Sequence, residues 1–234
     1  MRYSELTVDS PSRFKRWSHS SRFTQALELG DLQIHDTIAD YGAGDGYLLE
    51  KVLQAGVGSE LWAFEPMLAD QARERLDGRA LVVENAAELP SGYFDKVFCM
   101  EVIEHLRNDL MNEAFSQIYR ILKPTGLAVI TVPIEIGISS LFKNSVRIAM
   151  RKPHPGTNAA TILYSALLQP RLVKRFETSP NYMASHLGFD YRTLPKILKT
   201  HGFIVQLRDF SPVSFLGPVL NSQVSYVVRR AGGT

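Results

Sequence analysis

The sequence predicts an open, doubly wound α/β sheet of seven strands with helices on both faces. Three observations carry that expectation. Short apolar stretches recur along the chain. They alternate with longer stretches whose apolar residues fall three and four apart, and the first apolar stretch runs through a glycine turn into the first helical one. Strands alternating with helices call for right-handed βαβ crossovers and a sheet covered on both sides.

The elements follow in order. DTIADY (36–41) is apolar in its middle and bounded by turn residues, as a buried parallel strand is. Leu48, Leu49, Val52 and Leu53 then share one helix face, and Gly56 stands where that helix should end. ELWAFEP (60–66) reads as a strand, MLADQARERL (67–76) as a helix, and ALVVEN (80–85) and DKVFCM (95–100) as strands. Met111, Phe115, Ile118 and Leu122 stripe the next helix, which should stop at Lys123-Pro124-Thr125-Gly126 before the strand LAVITVP (127–133). From about Ile134 to Phe189 the rhythm is lost, so residues 134–189 read as an insertion. Beyond it come a helix, YRTLPKILKTHG (191–202), a strand, FIVQLRDF (203–210), and a last strand, SQVSYVVRR (222–230).

Composition narrows the function classes. With 234 residues, 45% of them hydrophobic, the chain can bury one substantial core. Lys+Arg 26 against Asp+Glu 24 leaves a net charge of +2, too little to announce DNA or RNA as an obligatory partner. The insertion nonetheless holds seven basic residues (Lys143, Arg147, Arg151, Lys152, Arg171, Lys174, Arg175) against two acidic ones, Glu135 and Glu177. A single cysteine, Cys99, excludes a disulfide framework and fits a reducing compartment, so the cytoplasm is the expected location. The amino terminus lacks a signal-length apolar run, and no stretch is long enough to span a bilayer.

DYGAGDG (40–46) is the most informative stretch. A strand that turns into a helix through glycines lets a ligand touch the main chain and offers it helix N–H groups. The dinucleotide fingerprint sets its third glycine three positions after the second. Here Gly42, Gly44 and Gly46 stand at every second position. Asp45 would repel a phosphate in that turn, whereas Asp40 and Asp45 would suit an ammonium or sulfonium. Glu65 closes the second strand, where a carboxylate can accept hydrogen bonds from both ribose hydroxyls.

DYGAGDGYL, AFEP, ENAAELP, FDKVFCMEVIEHL and LKPTGLAVITVP, in that order, resemble the successive motifs of class I S-adenosylmethionine-dependent methyltransferases, of the small-molecule type 11 and 12 kind. The match spans roughly residues 36–133, with support from GFDYRTLPKILKTHGF. The resemblance implies a Rossmann-like sheet whose last strand runs antiparallel, and S-adenosylmethionine as cofactor. It implies one domain over 1–234, with a helical segment in 1–35 near the cofactor mouth and residues 134–189 as a lid over the substrate. Within the first segment, Ser12 to Leu29 should form a helix with Phe14, Trp17, Phe23 and Leu27 as its apolar stripe.

By the same resemblance, Asp40 would approach the methionine amino group and Gly42, Ala43 and Gly44 would form the backbone floor. Glu65, followed by Pro66, would hold the ribose, and Glu101 would stand at the cofactor's edge after the fourth strand. Met67 and Asn85 would flank the adenine, with Asn85 or Ala86 contacting its amino group. The family often has aspartate where Asn85 stands, and an amide still hydrogen-bonds the adenine edge.

Methyl transfer from a sulfonium is an in-line displacement that chiefly needs alignment, and a hydroxyl acceptor also needs a base. Glu101, Glu104 and His105 follow the fourth strand, at the cleft edge where a doubly wound sheet places its ligands. His105 is the leading candidate base, with His154 and His186 of the insertion as the others. The insertion's apolar residues, Leu141, Leu163 and Leu167 among them with Ile138 and Phe142, interleave with its basic ones. Such a surface suits a small-molecule acceptor with an apolar part and a negative charge: a lipid- or nucleotide-linked sugar, or a polyprenylated phenol. It would equally suit peripheral contact with an anionic membrane, or simple solvation. The last strand, within LNSQVSYVVRR, resembles sugar- and polysaccharide-modifying methyltransferases, which favours sugar, glycolipid or polysaccharide-precursor O-methylation.

The Asn/Asp-Pro-Pro-aromatic turn of base-amine enzymes is missing after the fourth strand, which argues against DNA and disfavours RNA. A non-catalytic relative would be expected to lose Asp40, the glycines and Glu65, which are all present. No His/Asp/Glu cluster at metal-ligand spacing is visible along the chain, so no metal is expected. The sequence says nothing of oligomeric state.

Overall fold

Ile38 to Tyr41 are all buried, as a strand flanked by neighbours and covered on both faces must be. The computed structural model describes residues 13–137, 140–141, 144–145, 148, 157–175, 177, 182–183 and 185–232, with side chains from Ser20 onward. Its elements are α1 (Arg13–Gly30), β1 (Thr37–Tyr41), α2 (Tyr47–Ala55), β2 (Glu60–Phe64), α3 (Ala69–Leu76), β3 (Leu81–Val83), β4 (Phe94–Met100), α4 (Asn108–Ile121) and β5 (Leu122–Pro133). They continue through α5 (Ala159–Ala166), α6 (Leu194–Thr200), β6 (Phe203–Ser211), the single turn α7 (Gly217–Leu220) and β7 (Gln223–Arg230).

The sheet has the order β3-β2-β1-β4-β5-β7-β6. Pairings from β3 through β5 are parallel, and β7 runs antiparallel to both β5 and β6. The seven strands and the antiparallel last one match the expectation. Alternation along each strand splits the core in two. Val97 and Cys99 of β4, with Ala128, Ile130 and Val132 of β5, face α4 and α6 and join Phe115, Ile118, Leu194 and Leu198. Phe98, Leu127 and Val129 face the other way and join Ala26, Leu48, Leu49, Val52 and Leu76 of the helices α1 to α3. Gly56 ends α2 as expected, at φ 67° with its N–H donating to the Leu53 carbonyl at 3.2 Å. Among the described residues no helix is long and apolar enough to cross a membrane.

Two details differ from the sequence reading. α1 buries Arg22, Ala26 and Gly30, four residues apart, while Phe23 and Leu27 flank that line partly buried. The reason is proximity: a Cβ on Gly30 would stand 2.7 Å from Phe98 Cζ, so the helix touches the sheet through its small residues. The side chains of Phe14 and Trp17 lie outside the described residues. β5 also starts earlier than expected. Leu122 pairs with Phe94, and the Lys123–Gly126 stretch is absorbed into the strand across a register shift between Phe94 and Lys96.

Residues at both edges of the insertion belong to the core, since Ile134, Ile136 and Phe189 are buried in the α4 layer. Its described interior holds α5, capped by Asn158 and Thr161 in reciprocal hydrogen bonds, and a 3₁₀ turn at Pro170–Leu172. His154, Ile138, Phe142, Lys143, Arg147, Arg151 and Lys152 lie outside the described residues.

Candidate active site

The carboxyl ends of β1, β2 and β4 converge on the turn after β1. Gly42, Gly44 and Gly46 all take positive φ, at 84°, 57° and 81°, which only glycine adopts cheaply. Their missing side chains serve different ends. A Cβ on Gly42 would fall 2.4 Å from Val102 Cγ2, and one on Gly46 would crowd Leu76 Cγ at 3.1 Å, so both are glycine for internal packing. A Cβ on Gly44 would meet nothing within 4 Å. Of the three, Gly44 alone opens onto free space.

Four of the turn's N–H groups, those of Gly42, Ala43, Gly44 and Gly46, are used inside the protein. Gly42 and Ala43 donate to the Phe64 carbonyl at 2.8 and 3.0 Å, and Gly44 donates to Glu65 Oε2 at 2.7 Å. Met67 and Leu68 donate to Glu65 Oε1 at 2.8 and 3.1 Å. A carboxylate offers about four lone-pair sites, so these three bonds leave about one for a ligand. Glu65 therefore knits β2 to the glycine turn as well as facing the cleft.

Asp40 is 3% exposed, and burial, followed by the Glu65 charge, pushes its carboxyl up to about 8. Asp45 is committed elsewhere. It pairs with Arg75 at 3.1 Å, and Arg75 also donates to the Asp45 carbonyl at 2.9 Å and to Glu50 at 2.6 Å. That network replaces the cationic ligand the sequence suggested for Asp45.

Beyond β2, Pro66 and Met67 are exposed, Met67 at 68%, and line a hollow of about 220 Å³ with Leu68, Gln71 and Glu84. Asn85 is exposed and caps the short 3₁₀ turn Ala86–Glu88, its Oδ1 accepting from Ala87 N–H at 3.0 Å. The Ala86 carbonyl accepts from Arg120 at 2.9 Å. A larger surface hollow of about 430 Å³ between α1 and the end of β6 contains none of the expected site residues.

Glu101, just past β4, takes φ 55°, an uncommon value for a non-glycine residue. Its carboxylate binds Arg22 of α1 at 2.5 Å and accepts a hydrogen bond from Gln223 of β7. The position suits the expected cofactor edge, yet the carboxylate serves the protein first. Neither Arg22 nor Gln223 stood out in the sequence, because no linear spacing connects them to the β4 end.

One turn further, His105 and His186 meet across 81 residues of sequence, with their Nε2 atoms 3.3 Å apart. His105 Nδ1 lies 2.7 Å from the Met183 carbonyl, Met183 N–H donates to the His105 carbonyl at 2.9 Å, and Tyr182 stacks on the ring at 4.8 Å. Burial, and then His186, push the His105 imidazole down to about 4, so it is neutral at ordinary pH. Glu104 beside it is fully buried, and burial followed by the Glu101 charge raises its carboxyl well above the usual range. Arg175 of the insertion donates to the Glu104 carbonyl. Of the three candidate bases, the structure brings together His105 and His186. The ligating atoms of Glu104, His105 and His186 all lie within 4.8 Å of one another. The expectation of no metal rested on linear spacing, and the fold removes that reason by closing the 81-residue gap.

A profile of the methyltransferase domain matches residues 12–205 of the chain. The chain belongs to the methyltransferase domain family. With its sheet order and antiparallel last strand it is a class I, S-adenosylmethionine-dependent member. Over 114 residues, 44% of the chain, the methyltransferase is 28% identical to phosphoethanolamine N-methyltransferase of Plasmodium falciparum, covering 42% of that protein. Over 127 residues, 47% of the chain, it is 25% identical to ubiquinone biosynthesis O-methyltransferase of Pseudomonas paraeruginosa, covering 54% of that protein. The chain thus spans about half the length of these curated relatives.

Among solved structures, an S-adenosylmethionine-dependent methyltransferase from Mesorhizobium loti is similar at TM-score 0.61 and 14% identity, over 92% of this chain and 100% of that one. Magnesium protoporphyrin IX methyltransferase from Synechocystis with bound SAH follows at TM-score 0.56 and 12% identity, over 95% and 89%. These likenesses speak for the fold. The chemistry of the residues present is compatible with the family's cofactor: Gly44 opens onto free space, Asp40 is a buried carboxyl and Met67 an exposed apolar side chain at the end of β2.

Proposed function

We propose that the chain transfers a methyl group from S-adenosylmethionine to a hydroxyl oxygen of a small molecule with an apolar portion, a sugar of a glycolipid or polysaccharide precursor first. The observation that supports a hydroxyl acceptor is the Glu104–His105–His186 group directly beyond β4, joined to the glycine turn through Val102, which packs on Gly42. An oxygen acceptor must lose a proton during transfer, and this group is placed to receive it. A polyprenylated phenol is the second reading, favoured by the O-methyltransferase of ubiquinone biosynthesis among the relatives.

When bound, the cofactor supplies an electrophilic methyl on a sulfonium. Asp40 would pair with its ammonium, the remaining Glu65 lone pair would take a ribose hydroxyl, and Met67 would cover the adenine. Asn85 keeps its amide N–H₂ for the base edge, since its Oδ1 is used in the cap. Residues 134–189 would wall the acceptor. Leu163, Leu167, Leu168 and Leu172 are 54%, 57%, 49% and 57% exposed and supply an apolar face beside Arg171. Such a face would also suit an anionic membrane surface carrying a lipid-linked acceptor.

Incubation with methyl-labelled S-adenosylmethionine and a panel of lipid-linked sugars, polyprenylated phenols, phosphoethanolamine and transfer RNA tests the proposal. Label is expected in a hydroxyl acceptor. Label in the amine or the RNA alone would overturn it.

A further inference from the structure

The ligating atoms of Glu104, His105 and His186 all lie within 4.8 Å of one another, two of them on neighbouring residues and the third 81 residues on. His105 Nδ1 is 2.7 Å from the Met183 carbonyl, an acceptor only, so Nδ1 carries the hydrogen and Nε2 keeps its lone pair. His186 Nδ1 lies 3.9 Å from Glu135 Oε1, a carboxylate 1% exposed. His186 Nε2 faces the His105 Nε2 lone pair across 3.3 Å. Either a hydrogen on His186 Nε2 or a cation can fill the space that this lone pair faces.

The third member adds an independent observation. Glu104 is 0% exposed, and neither carboxylate oxygen has a hydrogen-bond partner among the described residues. Arg22 and Arg175 lie close enough to favour its charge, but one is bound to Glu101 and the other reaches the Glu104 main-chain carbonyl. Buried carboxylates are ordinarily hydrogen-bonded, paired or metal-bound. An imidazole whose far nitrogen is fixed by a carbonyl or a carboxylate is the usual arrangement behind a metal-ligating histidine.

We propose that Glu104, His105 and His186 form a binding site for one divalent transition cation. Two imidazole nitrogens and one carboxylate suit zinc, cobalt, manganese or ferrous iron, and disfavour magnesium and calcium, which take oxygen ligands. Three protein ligands leave at least one coordination position for water or a substrate oxygen, as in catalytic sites. The site stands on its ligands alone. Its use, drawing the acceptor hydroxyl to the cation and making its proton easier to release to water, rests on the methyl-transfer reading given above.

The test starts from the full chain freed of metal by chelator and dialysis. Cobalt(II) is titrated in and followed by its visible absorption, which reports nitrogen and oxygen ligation directly, and zinc is titrated by calorimetry. The expected result is one equivalent bound at micromolar concentration or tighter, with a rise in unfolding temperature. Glu104→Gln keeps the size and the neutral form of a buried side chain, so it should fold, and it should lose the cobalt spectrum and weaken zinc at least tenfold. His186→Ala should do the same, whereas His201→Ala, at a histidine bonded to Ser116 and Asn112 of α4 and outside the cluster, should bind as the parent does.

No saturable binding would overturn the site, leaving a proton between the imidazoles as the explanation. Binding that survives both Glu104→Gln and His186→Ala, or a preference for magnesium over zinc, would overturn it as well. A titration of the same metal-free protein with S-adenosylhomocysteine separates the two readings. Cofactor without cation binding removes the site alone, and cation without cofactor binding supports the site while removing methyl transfer.

Discussion

Lowering the pH from 8 to 6 should weaken binding of S-adenosylhomocysteine about fiftyfold, through Asp40. In the cofactor-free protein its carboxyl is pushed up to about 8, first by burial and then by the Glu65 charge. A ligand ammonium beside it favours the ionised form, so below about pH 8 the carboxyl must give up its proton to bind. Well below pH 8 each pH unit costs about 1.4 kcal/mol, a factor of ten in affinity; with half the carboxyls already ionised at pH 8, the fall from 8 to 6 costs about 2.3 kcal/mol. Calorimetry in buffers of different ionisation enthalpy should count about one proton released per ligand near pH 6–7, falling towards none above pH 8.

The same shift works against the empty fold. A carboxyl raised from 3.8 to about 8 leaves stability highest below pH 4 and erodes it as pH rises to about 8. Asp40→Asn should therefore unfold at higher temperature than the parent at pH 8 and bind the ligand weakly without pH dependence. An unchanged dissociation constant between pH 6 and 8, with no proton released, would refute the reasoning: Asp40 would already be ionised, or would not meet the ammonium.

The two inner glycines should separate folding from binding. Gly44→Val keeps the fold apart from about 1 kcal/mol of backbone strain but should abolish S-adenosylhomocysteine binding, because its side chain enters the open space. Gly42→Ala should instead lower thermal stability by about 2–3 kcal/mol, since its Cβ meets Val102 at 2.4 Å. Intact binding in Gly44→Val would remove that turn from the cofactor site. Glu65→Ala releases three main-chain N–H groups and the proposed ribose contact and should weaken binding by about 1.5–3 kcal/mol in the same titration. Arg75→Met leaves Asp45 buried and without its cation, so chemical denaturation should show a loss of about 3–5 kcal/mol.

Much of the scaffold was legible because strand and helix periods are local properties. DTIADY, DKVFCM and LAVITVP carried enough buried side chains to place β1, β4 and β5, and Gly56 was read correctly as a helix end. The helix α1 was legible, and Phe23 and Leu27 pack against the core, but its most buried line was not, because that line includes an arginine and a glycine. Its depth is set by Phe98, which no window of helix sequence contains. The site was legible only where one turn holds it. Gly44 and Glu65 stood out, but the commitment of Asp45 to Arg75 and of Glu101 to Arg22 and Gln223 comes from contacts between distant segments. His105 and His186 were named separately, and nothing in either neighbourhood indicated that their rings would touch.

Glu101 ties the β4 end to distant parts of the chain. Its carboxylate is held by Arg22 from α1 and Gln223 from β7, so the shape of the β4 end depends on both. β7 also threads between β5 and β6, an interior strand of the sheet although it is seventh in chain order. A disturbance in α1 or β7 is thereby felt at the β4 end, beside the proposed acceptor site, even though neither element supplies a member of the Glu104–His105–His186 group.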